Sequence, residues 1–107
     1  MRTPNYEENL AALEGLAFTI KTILDYGRNI FKARGLVTIS KKRDGHCFIT
    51  HLIHLVEAGY LSTEKTSSSH YAYSVNDWNS LRGYHNLISL LLSPPDDIEE
   101  KFSTVNL

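Results

Sequence analysis

One stretch, from His46 to Val75, constrains the fold of this chain more than any other, because its hydrophobic period changes midway. Phe48, Leu52 and Leu55 recur at steps of four and three and are followed by Gly59, the pattern of an amphipathic helix with a glycine stop. Beyond the glycine, Tyr71, Tyr73 and Val75 alternate with His70, Ala72 and Ser74, the period of a half-buried strand. Residues Tyr60 to Thr63 supply its partner strand. The polar run from Thr63 to Ser69 forms the tip, and its three serines read as a solvent-exposed turn.

The residues His51-Leu52, Leu55, Ala58-Gly59 and Tyr60-Leu61, followed by the Tyr-x-Tyr-x-Val strand, form a pattern that covers residues 46–75. It resembles the recognition helix and wing of winged helix-turn-helix proteins, in particular the small ArsR-like and MarR-like transcriptional regulators. The resemblance implies an α+β, predominantly helical fold, a winged helix-turn-helix with additional N- and C-terminal helices. Within it, residues 47–58 are the expected recognition helix and residues 60–75 the wing.

The rest of the chain fits one domain, residues 1–107, large enough to bury a core and small enough to gain from a partner copy. Pro4, with Thr3 or Asn5 as cap and Glu7 and Glu8 in the first turn, predicts a helix starting near residue 4 or 5. Tyr6, Leu10, Leu13, Ala17, Ile20 and Leu24 then form an apolar stripe, which places N-terminal helices over residues 5–34, kinked or split at Gly15 and closed by Gly35. Leu36-Val37-Thr38-Ile39 is β-branched and predicts a short strand at 36–39.

Between that strand and the recognition helix the family pattern has a second helix, where this chain offers only Ser40 to Cys47. Three arrangements are compatible with these residues. The second helix is reduced to about one turn, or residues 16–33 take its place, or Asp44-Gly45 turns a hairpin. After the wing, Asn76 or Asp77 can cap a helix over residues 77–92. Its stripe of Trp78, Leu81, Tyr84, Leu87, Ile88 and Leu91 is apolar enough to suggest a homodimer interface. Ser93-Pro94-Pro95 stops it, and the acidic segment beyond has room for one last turn.

Net charge is −1, so the distribution of charge carries the argument. Seven of the eleven cations, Lys21, Arg28, Lys32, Arg34, Lys41, Lys42 and Arg43, fall in one block with a single carboxylate, Asp25, among them. Such a block can attract phosphate or simply be a solvated surface. The polar, acidic start is unlike a targeting segment and no apolar run reaches membrane-span length, so the expected location is cytoplasmic with no membrane partner. A single cysteine, Cys47, excludes an internal disulfide.

For DNA, the resemblance places Lys41, Lys42, Arg43 and Lys65 on phosphates, and Thr50, His51 and His54 on base edges in the major groove of double-stranded DNA. No Lys or Arg lies between His46 and Tyr60, which leaves phosphate contacts to the flanks. Ile49, Ile53 and Val56 form a second apolar stripe on the same helix, which suits a protein partner instead. Cys47, His51 and His54, with His46 adjacent, have spacing that could ligate zinc, but polar surface histidines are the commoner use of this pattern, and no metal or cofactor is expected. No phosphate loop, nucleophile elbow, paired acid motif or metalloprotease helix is present, so the expectation is a non-enzymatic regulator.

Overall fold

The computed structural model describes residues 6, 9–40, 46–67 and 70–92, with positions 46 and 47 as backbone only. The order is α1 (Leu10–Tyr26), β1 (Ile30–Phe31), α2 (Ala33–Ser40), α3 (His46–Glu57), β2 (Leu61–Ser67), β3 (His70–Val75) and α4 (Trp78–Leu92). Among the described residues, four helices and one antiparallel three-stranded sheet of order β1-β3-β2 make a mostly helical α+β fold. Among the described residues no helix is long and apolar enough to cross a membrane.

Helix α1 is capped by Asn9, whose side chain accepts from the Ala12 amide, and it runs through Gly15 without interruption. Its start therefore differs from the predicted one: Tyr6 lies in a turn, and Thr3 and Asn5 lie outside the described residues. The helix ends at Gly27, not Gly35. Gly27 adopts φ 69°, a left-handed conformation that costs glycine little, and its amide bonds the Ile23 carbonyl. Leu13, Leu16, Ile20 and Ile23 face the core, while Leu10, the second residue of the predicted stripe, is 65% exposed.

The expected strand at 36–39 is helical. Ala33, Leu36, Val37 and Ser40 repeat at three and four, and Leu36 is fully buried, so core burial along a helical face overrides the strand preference of the β-branched residues. The strand that closes the sheet is instead Ile30–Phe31, paired with Ser74 and Tyr73, within the stretch expected to be helical. Helix α2 spans eight residues, and residues 16–32 fall in α1, β1 and the connections beside them. The suggested turn at Asp44-Gly45 lies outside the described residues.

Helix α3 buries Phe48, Leu52 and Leu55. Gly59, at φ 89°, ends it, and the Tyr60 amide reaches back five residues to the Leu55 carbonyl, satisfying one of the last helical carbonyls. Strand β2 continues to Ser67, beyond the predicted end at Thr63, with a register irregularity between Lys65 and Ser67. Asn76 fastens the hairpin base: its Nδ2 donates to the Gly59 carbonyl, and its Oδ1 accepts from Ser62 Oγ at 2.6 Å. Asp77 caps α4 by accepting from the Asn79 and Ser80 amides.

Candidate nucleic-acid interface

A side chain on α3 can read DNA only if it faces outward, and the structure turns both predicted histidines inward. His51 is 6% exposed. Its Nδ1 lies 2.7 Å from the Tyr6 hydroxyl, and its ring presses on α1 at Gly15, where a Cβ would sit 2.6 Å from His51 Nε2. The glycine expected to kink α1 serves close helix packing. His54 is half-buried, with Nε2 2.8 Å from the Tyr84 hydroxyl and its ring 4.5 Å from that of Tyr6. Tyr84 in turn stacks on Tyr60, centroids 4.5 Å apart and planes 5° from parallel.

These contacts make a polar seam across α1, α3 and α4. Burial lowers the His54 pKa from its ordinary 6.5, with Glu57 opposing, so the imidazole favours its neutral form. Burial, aided by Tyr84 and Glu57, pushes the Tyr6 phenol up to about 12. The phenol contacts of His51 and His54 are a structural arrangement within the chain, and they engage both of the histidines expected at base edges. No signal in the sequence pairs Tyr6 with a residue 45 positions away.

The remaining predicted residues are dispersed. Thr50 is half-buried and lines a groove of about 650 Å³ between α1 and α3 with Asn9, Glu14 and His51. Lys65 is exposed on β2, opposite Tyr71 of β3. Lys41, Lys42 and Arg43 lie outside the described residues. On α3, Ile49 and Ile53 are partly buried, Val56 packs against the core, and Glu57 is exposed. Among the described residues no three His, Cys, Asp or Glu side chains are grouped to hold a metal ion.

The proposed dimer stripe also divides. Leu81 and Ile88 are fully buried in the chain's own core. Trp78 is half-buried and donates from Nε1 to Asn29 Oδ1, and Tyr84 belongs to the seam. Only Leu87 and Leu91 of that set are exposed, at 53% and 62%, joined by Leu90 at 62%. The helix period alone could not separate these groups, because the stripe is wider than the surface α1 covers. No family model, curated protein or solved structure matches the chain.

Proposed function

We propose that this chain is a non-catalytic, cytoplasmic DNA-binding regulator of winged-helix type that acts as a homodimer. The supporting observation is the layout: α2 and α3 are followed by a hairpin whose second strand pairs with β1, so an antiparallel wing stands immediately after the candidate recognition helix. With His51 and His54 engaged within the chain, α3 offers the partly covered Ile49 and Ile53, which suit thymine methyl groups better than polar base edges. Lys65, with Lys41, Lys42 and Arg43, supplies phosphate contacts. The exposed Leu87, Leu90 and Leu91 supply the dimer contact.

Fluorescence anisotropy with random duplex DNA across a salt series, with solution mass measured on the same sample, tests this reading. Salt-sensitive binding by a dimer supports it, and no binding at low salt removes it.

A second reading is favoured by the composition of α3, which carries no Lys or Arg and keeps Ile49 and Ile53 only partly covered. It is a winged-helix protein-interaction module that does not bind DNA. Ile53→Lys separates the two: the added charge strengthens duplex binding if this face meets phosphates and abolishes partner capture if it meets protein.

A further inference from the structure

The structure divides the basic block. Lys21 lines a separate cavity with Asp25, whereas Arg28, Lys32 and Arg34 gather in one cleft of about 430 Å³ around the edge strand β1, between the end of α1 and the first turn of α2. Tyr26, Ile30, Thr38 and Ala72 form other parts of its wall, and among the described residues no carboxylate lines it. All three cations are exposed, and among the described residues none of them pairs with an acid. Like charges collected in this way repel one another, and no ion pair among the described residues offsets that repulsion.

The cleft also has internal order. The Arg28 guanidinium lies over the Tyr26 ring, 5.3 Å from its centroid, which leaves the N–H edge of the guanidinium available to an acceptor. Tyr26 is itself seated against α2, where a Cβ at Gly35 would come within 2.9 Å of its hydroxyl. The absent side chain at Gly35 admits the ring that carries Arg28.

We propose that this cleft seats the phosphodiester backbone of duplex DNA, so that the chain is anchored from the β1–α2 edge and not by α3. This rests on the DNA-binding reading above and adds Arg28, Lys32 and Arg34 to its phosphate contacts. A polyanion fits better than a small free anion because Arg28, Lys32, Arg34 and Thr38 are all exposed. A single phosphate here would stay hydrated on its open side, whereas a backbone brings successive charges along the edge.

The test is anisotropy on random duplex DNA between low and moderate salt for wild type, for the double variant Arg28→Ala/Arg34→Ala, and for the control Lys21→Ala/Arg82→Ala. The control removes the same charge from exposed sites outside the cleft. The cleft variant should lower the slope of log affinity against log salt by about two and weaken low-salt binding roughly tenfold on every sequence, with the control near wild type. Wild-type binding with one slope shared by all three proteins overturns the cleft and leaves the DNA reading standing. No wild-type binding removes both. A saturable site for inorganic phosphate, read from amide shifts at Arg28, Lys32 and Arg34 while the duplex slopes stay equal, would give the cleft to a small anion and also overturn the proposal.

Discussion

At the junction of α1, α3 and α4, two imidazoles meet two phenols at 2.7 and 2.8 Å, while around β1 three cations share a cleft that no described carboxylate lines. Both regions draw on residues that suit nucleic-acid contact. In the first, the imidazoles and phenols are bonded to one another, and burial favours the neutral forms of His54 and Tyr6. In the second, the charged groups stay in water and remain available to an external anion. The difference shows that residue type alone does not separate a polar group engaged within the chain from one left to solvent.

Four measurements break or sharpen this contrast. The largest effect is expected at Gly15. Alanine in a helix interior normally gains about 1 kcal/mol over glycine. Here the new Cβ meets His51 Nε2, and turning the ring away would cost its bond to Tyr6, so Gly15→Ala should destabilise the fold by about 2 kcal/mol in urea unfolding. A gain in stability would show that the seam is loose. Tyr6→Phe comes next. It leaves Nδ1 of a buried imidazole without this hydroxyl, and a loss of about 1.5 kcal/mol is expected; a neutral result would mean that water replaces the phenol.

Gly83 gives the counterpart to Gly15 with the opposite sign. It lies in α4, and a Cβ added there would meet nothing within 4 Å, so Gly83→Ala should raise stability by about 0.8 kcal/mol. Destabilisation there would point to a contact at this exposed position, as in a dimer.

The smallest effect is the pH response of the half-buried His54. Because burial lowers its pKa in the folded state, its contribution to stability is full above about pH 6.5 and is lost as pH falls through the folded value. Tyr6 acts at the other limit: its contribution is full below pH 10 and is lost as pH climbs through about 12. Urea midpoints from pH 5 to 8 should decline on the acid side for wild type and decline less for His54→Gln. Parallel profiles would remove His54 from the seam.

The helix before Gly59 and the strand after it were legible because each is long enough to display its own period and the glycine separates them. Ile30–Phe31 was not, since two residues cannot show an alternation. Their strand character comes from pairing with Ser74 and Tyr73, more than forty positions away. At 36–39 two patterns overlap, β-branched composition and a helical repeat, and burial of Leu36 decides between them. Gly27 was the missed signal, because it stops α1 eight residues before Gly35, the glycine expected to close it.

The candidate site was legible as a list of residue types but not as a surface. Charge clustering in the sequence pointed to the basic block, yet only the fold of β1 and α2 separates Lys21 from Arg28, Lys32 and Arg34. For His51 and His54, helix position alone predicted an outward side. The glycine on α1 and the tyrosines on flanking segments, all distant in sequence, determined where they point.

The bond from Trp78 to Asn29 has an optical consequence. Trp78 is the only tryptophan in the chain, and its indole N–H is held by the residue next to Arg28, on the short connection that leads into β1. Indole emission responds to polarity and hydrogen bonding at that nitrogen, so the protein carries a native fluorophore at the foot of the basic cleft. Any ligand that draws this connection away from α4 should change the colour of its emission without an added dye.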